Sequence, residues 1–289
     1  MKRLIFGCGY LGRRVAENWL KTGDSVYAIT RSQARAKEFR QMGIEPIIAD
    51  ITDPNSIEFL PQTTTVLFAV GMDRTKYDNI RDVYVKGLQN VVNRLSNSIE
   101  QLIYISSTGV YGDFSGDWVN ESSVTEPSRD GGQACLEAEK LIEDSVFKSR
   151  STILRLAGIY GPDRVPTRSL IESKNWQMLS PSGYLNLIHV DDAASVVQVI
   201  GDHAPNGDTF LVSDGNPVLR QEYYEFVARQ FGINRIDWKE QSTEPPQSSL
   251  RAKRSRTSKR ISNKKLTQTF DIKFDYPNYQ VGLRHALNQ

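Results

Sequence analysis

Gly7-Cys8-Gly9-Tyr10-Leu11-Gly12 stands between an apolar run, Lys2 to Phe6, and a helical pattern that begins at Tyr10. In that setting a G-x-G-x-x-G loop turns tightly at its first glycine, lets a pyrophosphate approach the backbone at its second and packs helix on strand at its third. The phosphates of a dinucleotide then lie on backbone N–H groups at a helix N-terminus. The motif alone is weak, so the chain around it has to decide whether a dinucleotide binds.

After the loop, Leu11, Val15, Ala16, Trp19 and Leu20 recur at helical spacing, and Gly23 closes the helix as a left-handed cap. Residues 26–29 read as a buried strand, 34–41 as a polar helix ended by Gly43, and 46–49 as a third strand. This is βαβαβ, one mononucleotide-binding half. A fourth strand follows at 65–69. A long helix buries Tyr84, Leu88, Val91, Val92 and Leu95, and after it come a fifth strand at 102–105, a helix over 132–147 and a sixth strand at 152–156. The expected fold class is α/β, a Rossmann-like doubly wound parallel sheet with helices on both faces and its ligand beyond the carboxyl ends of the strands.

Past residue 160 the pattern loosens. Strands are expected at 184–190 and 209–212 and a helix at 219–231, capped by Gly232. Residues 1–160 therefore read as the dinucleotide-binding domain, completed by parts of 184–212, and 161–289 mainly as a smaller substrate-binding lobe. Within that lobe 241–260 shifts to Ser, Pro and base, with Arg251, Lys253, Arg254, Arg256, Lys259 and Arg260, and reads as an exposed, solvated loop rather than a nucleic-acid patch.

Composition narrows the classes. The chain has 289 residues, 36 basic and 34 acidic, so no global field argues for nucleic acid or an anionic membrane. Two cysteines, Cys8 and Cys135, make no disulfide framework and suit a reducing compartment. No run approaches the roughly 20 apolar residues of a membrane span. The start of the sequence has too few apolar residues for a signal peptide. A cytoplasmic protein is expected, and no His, Cys and carboxylate cluster has metal-ligand spacing.

Cofactor choice is read at the end of the second strand, Ile29-Thr30-Arg31-Ser32. An acid there would hold the ribose of NAD; here a guanidinium and a hydroxyl suit a 2′-phosphate instead, so NADP is preferred to NAD. Arg13 and Arg35 are weaker candidates for the same phosphate. Asp50 and Ile51 are expected to flank the adenine, and Ala69, Val70 and Gly71 to pass beneath the cofactor. Tyr10 and Leu11 belong to the phosphate loop with Gly7, Gly9 and Gly12.

Further stretches follow in order: Asp50-Ile51, Ile105-Ser106-Ser107-Thr108-Gly109-Val110-Tyr111-Gly112, Arg155-Leu156-Ala157-Gly158-Ile159-Tyr160-Gly161-Pro162, His189-Val190-Asp191-Asp192-Ala193-Ala194 and Lys259-Arg260-Ile261-Ser262-Asn263. With the glycine loop they resemble the extended short-chain dehydrogenase/reductase family, the NAD-dependent epimerase/dehydratase group, in its atypical, YeeZ-like branch. The resemblance spans nearly the whole chain. It implies a Ser or Thr on strand five, a Tyr that exchanges a proton with the substrate, and a Lys four residues later that lowers the phenol's pKa. Ser107 falls on the hydroxyl's position, whereas Gly131 and Cys135 fall where the Tyr and Lys should be. Tyr84 falls on the family's usual asparagine. It also implies a homodimer through helices near 80–97 and 132–147.

Neither glycine nor thiol can run the ordinary mechanism. Tyr160 and Tyr77 are phenols that could face the nicotinamide end, but without a nearby cation such a phenol keeps a pKa near 10 and transfers protons slowly at neutral pH. Ser107 and Tyr160 are the candidate catalytic residues. Cys135 reads as a packed small residue, Tyr111 and His189 as structural, and Asp191 and Asp192 as helix N-caps. Two functions stay open. One is an NADP(H)-dependent oxidoreductase or epimerase-like enzyme acting on a small carbonyl or sugar-type substrate. The other is a catalytically silent NADP(H)-binding regulator or sensor whose partner is a small-molecule effector.

Overall fold

The computed structural model describes residues 1–73, 75–166, 181–203, 207–234, 238 and 257–287. Strand β1 (Lys2–Phe6) leads through the glycine loop into α1 (Tyr10–Lys21), followed by β2 (Ser25–Thr30), α2 (Gln33–Gln41), β3 (Glu45–Ile48) and β4 (Thr65–Phe68). A single π turn, Asp82–Lys86, runs into α3 (Gly87–Arg94); then come β5 (Gln101–Ser107), a two-residue β6 (Trp118–Val119), α4 (Asp130–Glu143), β7 (Ser151–Leu156) and β8 (Gly158–Tyr160). The remaining elements are β9 (Tyr184–Leu185), β10 (Leu187–His189), α5 (Val190–Asp202), β11 (Thr209–Val212), β12 (Val218–Leu219), α6 (Arg220–Gln230), β13 (Arg260–Ile261), α7 (Lys264–Phe270) and α8 (Tyr279–Leu287).

Seven strands form the central sheet in the order β11-β7-β5-β4-β1-β2-β3. Neighbours from β3 through β7 pair in parallel. Strand β11 is parallel as well, since Ile153 N–H donates to Asp208 O and Ala157 N–H to Val212 O, both at 2.9 Å and with the same offset. Strand order reverses between β1 and β4, and at such a switch point α/β sheets bind ligands. Period-two alternation divides the sheet's side chains between two faces. Leu4, Phe6, Val66, Phe68, Leu102 and Tyr104 pack against Leu88, Val91 and Val92 of α3 and Ala138 and Ile142 of α4. The opposite face carries α1, where Gly12 lies against the Ile5 side chain.

Chain contacts divide the molecule into two units, one of residues 1–110, 125–156 and 193–210, the other of 111–124, 157–192 and 211–289. In the first, Arg3 is fully buried, its guanidinium held by Asp24, Asp202, Thr65 Oγ1 and the Gly201 carbonyl. Four acceptors offset the desolvation of one cation.

Several expectations need correction. The helix expected to run unbroken through Tyr84 to Leu95 opens with the π turn, and Tyr84 Oη accepts from Met72 N–H at 3.3 Å. Helix α4 starts two residues earlier than expected and ends at Glu143, leaving Phe147 buried in the following turn. The strand expected at 184–190 breaks at Asn186, because that side chain brackets the 259–261 segment: Nδ2 donates to Lys259 O and Oδ1 accepts from Ile261 N–H. Most of the basic stretch, including Arg251, Lys253, Arg254 and Arg256, lies outside the described residues. Its last two cations are not fully exposed, Lys259 being buried and Arg260 half-buried. Lys259 is buried with Nζ donating to the carbonyls of Tyr111 and Gly112, and Arg260 Nε donates to Gly116 O at 2.6 Å while its guanidinium lies 5.2 Å over both Trp118 and Tyr184. Carbonyl acceptors and aromatic faces are the partners that make a cation worth burying.

Candidate active site

At the switch point the glycine loop meets the end of β4. Gly7 has φ +91°, and a Cβ there would stand 2.4 Å from the carbonyl carbon of Ala69 and 2.6 Å from Val70 N; a Cβ on Gly12 would stand 2.4 Å from Gly7 O. These two glycines are required by backbone packing. Gly9 differs, for a Cβ on it would meet nothing within 4 Å, so the second glycine leaves open a cradle that a side chain would fill. The N-terminus of α1 carries neither a side-chain cap nor an acid in its first turn, leaving N–H donors and the positive end of the helix dipole to an anion. Gly7, Gly9, Tyr10, Leu11, Gly12, Ala69 and Val70 are thus brought together as the sequence implied, and the cradle fits a pyrophosphate. Tyr10 lies under the Arg14 guanidinium at 4.6 Å.

At the ends of β2 and β3 the structure assembles more than the sequence indicated. Arg31 Nη2 donates to Asp73 Oδ2 at 2.8 Å, and its guanidinium lies 5.1 Å from the Tyr77 ring centre. Tyr77 donates to Asp50 Oδ2 at 2.5 Å, and Asp50 Oδ1 accepts from Thr52 N–H and Oγ1. Partial burial works against the Asp50 charge, but hydrogen bonds from Tyr77 and Thr52 and the Arg31 charge hold its carboxyl below the ordinary range. Tyr77 therefore sits with Asp50 and Arg31, a correction to its placement at the nicotinamide end. Ser32 caps α2, its hydroxyl accepting from Arg35 N–H at 3.3 Å. Arg13 pairs with Glu17 one turn along α1. Ile51 points inward, its Cδ1 2.7 Å from where a Cβ on Gly87 would stand, so it packs α3 rather than opening toward an adenine.

The catalytic end lies where β5 meets α4. Ser107 Oγ accepts from Gly109 N–H at 3.0 Å. A Cβ on Gly132 would stand 2.2 Å from Gly109 O, so the start of α4 is pressed on the turn after β5. Ser107 Oγ and Arg129 Nη2 lie 3.2 and 3.7 Å from the point a Cβ on Gly109 would take. The hydroxyl and the guanidinium therefore both flank Gly109. Gly131 faces the Ile80 side chain at 3.7 Å. Cys135 is buried, and desolvation, reinforced by Glu139, pushes its thiol up to about 12. Next to it Glu139 accepts from Ser106 Oγ and makes a buried two-pronged bond with Arg155, Nη2 to Oε2 at 2.7 Å and Nε to Oε1 at 3.0 Å.

Burial likewise pushes the Cys8 thiol up to about 12. Neither cysteine is a thiolate at neutral pH. At pH 8 both are expected to react with iodoacetamide about a thousandfold more slowly in the native protein than in the unfolded chain, as a shift of about three units implies. Intact-mass time courses measure this. Rapid native labelling of Cys135 would make it a candidate nucleophile again.

Tyr160 belongs to the second unit and does not have the character of a proton donor. Its ring is buried against α8, where a Cβ on Gly282 would meet its hydroxyl oxygen at 2.1 Å, and its hydroxyl donates to Asn278 O at 3.4 Å. Burial, reinforced by Asp214, raises the phenol further from the neutral range. Asp192 is not an N-cap: its two oxygens accept from Asp275 and Tyr276 N–H at 2.8 and 3.0 Å and pin the chain ahead of α8. The buried His189 ring stacks on Tyr276 with centres 3.6 Å apart. Tyr111 donates to Asn120 O. Among the described residues no group of three or more His, Cys, Asp or Glu could hold a metal, and no helix is long and apolar enough to cross a membrane.

Asp73 and Arg129 were missed by sequence reasoning. Asp73 is 42 residues from Arg31 and stands in no motif; Arg129 lies two residues before the vacant tyrosine position, and a search for cations near Gly131 would have reached it.

Comparison with known proteins agrees with this architecture. The chain is 25% identical over 256 residues, 86% of each protein, to Protein YeeZ of Escherichia coli (strain K12). A solved structure of a functionally unknown conserved protein from Silicibacter pomeroyi superposes with TM-score 0.78 at 25% identity, covering 99% of this chain and 98% of that one. The UDP-glucose 4-epimerase of Thermus thermophilus, solved in complex with NAD, superposes with TM-score 0.76 at 17% identity, covering 100% and 98%, and shares the fold. The model of the NAD dependent epimerase/dehydratase family matches residues 4–213, and the chain belongs to that family, with its NAD(P)-binding, oxidoreductase- and epimerase-like fold.

Proposed function

We propose that the protein is an NADP(H)-binding oxidoreductase or epimerase-like enzyme acting on a small carbonyl or sugar-type substrate, with Ser107 and Arg129 at the substrate oxygen. The observation that carries this reading is that the Ser107 hydroxyl and the Arg129 guanidinium both flank Gly109 at the end of β5. A bound nicotinamide would supply hydride exchange. Around it, Ser107 donates a hydrogen bond to the substrate oxygen, and Arg129 stabilises negative charge there. A guanidinium keeps its proton, so Arg129 acts by its field and does not replace the missing phenol as an acid. Gly7, Gly9 and Gly12 hold the pyrophosphate on the N-terminus of α1. Arg31 takes the 2′-phosphate, and Asp50 the adenine amine.

The vacant tyrosine position at Gly131, the high thiol pKa of Cys135 and the burial of Tyr160 favour a second reading, an NADP(H)-binding sensor without turnover. Incubation of the protein with NADPH and a panel of carbonyl compounds and nucleotide sugars separates the two. For the enzyme, either NADPH is consumed by a carbonyl substrate or a nucleotide sugar is converted to its epimer with no net loss of cofactor, and Ser107→Ala slows this about a hundredfold. Tight NADPH binding with no turnover on any substrate decides for the sensor. In either case Arg31→Ala is expected to weaken NADPH by about tenfold to a hundredfold, the worth of a charge-assisted phosphate contact, and NADH by less than about threefold. Equal weakening of the two removes the 2′-phosphate role.

A further inference from the structure

Both side chains assigned to the adenosine half of the cofactor are already engaged, and both by the turn that follows β4. Asp73 takes the Arg31 guanidinium at 2.8 Å, and Tyr77 takes the Asp50 carboxylate at 2.5 Å. The turn is built to present these groups. Thr75 N–H and Oγ1 both donate to Asp73 Oδ1, at 3.1 and 2.6 Å, leaving Oδ2 directed at Arg31, and Tyr77 N–H donates to Asp73 O at 3.1 Å. The two receiving positions are neighbours across β2 and β3, where Ala49 N–H donates to Thr30 O. Carboxylate and phenol thus meet Arg31 and Asp50 with the chemistry of a 2′-phosphate and an adenine: an anion on the guanidinium, and a flat ring beneath it that donates to the carboxylate.

We propose that Asp73 sets the NADP(H)-against-NAD(H) specificity of the adenosine site and Tyr77 its affinity for both, the two being exchanged for the 2′-phosphate and the adenine when NADP(H) binds. This rests on the NADP(H) reading above. A phosphate cannot share Arg31 with Asp73 without bringing two anions onto one cation, so Asp73 opposes NADP(H) selectively. A ribose with a free 2′-hydroxyl brings no such charge. Tyr77 competes for Asp50, which both dinucleotides need, so it opposes them equally. Asp73 thereby narrows a preference that Arg31 alone would make strong.

The test is equilibrium binding of NADPH, NADH and 2′-AMP, followed by calorimetry on the full chain. Asp73→Asn is expected to tighten NADPH and 2′-AMP about tenfold and NADH less than about threefold, and in an Arg31→Ala background this gain vanishes. Tyr77→Phe is expected to tighten NADPH and NADH by the same factor. Asp73 is partly exposed, so the variant should fold, and an unchanged melting temperature verifies it. If Asp73→Asn leaves the NADPH-to-NADH ratio unchanged or lowers it while Arg31→Ala still discriminates, the proposal fails and the NADP(H) reading stands. If Arg31→Ala affects both cofactors equally, or neither cofactor binds the parent protein, the NADP(H) reading fails first and takes the proposal with it.

Discussion

Gly7→Ala is expected to lower the melting temperature by about 10 °C and abolish dinucleotide binding, whereas Gly9→Ala abolishes binding with little loss of stability. At Gly7 two costs add. A φ of +91° is worth about 1–2 kcal/mol against a residue with a Cβ. That Cβ would also lie 2.4 Å from the main chain of Ala69, an overpacking worth about 1–3 kcal/mol more because no flexible side chain can give way. In a domain of this size each kcal/mol shifts the transition by about 2–4 °C. Gly9 is at φ −99°, and a methyl there meets nothing in the protein; it meets only the pyrophosphate. Thermal denaturation with and without NADPH measures both variants. A stable Gly7→Ala that still binds, or a Gly9→Ala with undiminished affinity, would contradict the roles assigned to the loop.

Arg155→Met is expected to destabilise the protein by about 3–5 kcal/mol. Arg155 and Glu139 are both buried, at 7% and 1% exposure, and joined by hydrogen bonds from both Nε and Nη2. Removing the arginine leaves a carboxylate in the core with the Ser106 hydroxyl against it, and an uncompensated buried charge costs that much. Removing both charges is different. Arg155→Met combined with Glu139→Leu is expected to recover most of the loss, since a well-packed apolar pair often equals a buried ion pair. Denaturant midpoints of the two single variants and the double variant close the cycle. Single variants within about 1 kcal/mol of the parent would show that water reaches the pair. The pair ties α4 to β5 and β7, one turn beyond Cys135.

Much of this was legible in the chain. The Gly7 loop, the alternation of strand and helix and the caps at Gly23, Gly43 and Gly232 are local matters of dihedral angle and periodicity, and the structure has each of them. Ser107 could be placed because it stands where the family resemblance implies a hydroxyl, and it is the last residue of β5. The break at Asn186 could not, because it answers to distant partners, Lys259 and Ile261, and the π turn before α3 carries no local sequence signal.

The sequence by itself determined that an α/β sheet of the NAD(P)-binding kind is present and where its glycine loop lies, since these are written in the identity and spacing of neighbouring residues. Tertiary structure alone decided the contacts between distant residues: Asp73 on Arg31, Tyr77 on Asp50, Arg129 and Ser107 both at Gly109, and Asp192 on the backbone of residues 275 and 276. A hydrogen bond or an ion pair depends on a few ångströms of separation, and for residues tens of positions apart that separation is set by the order of strands in the sheet and the packing of turns, which no local pattern records.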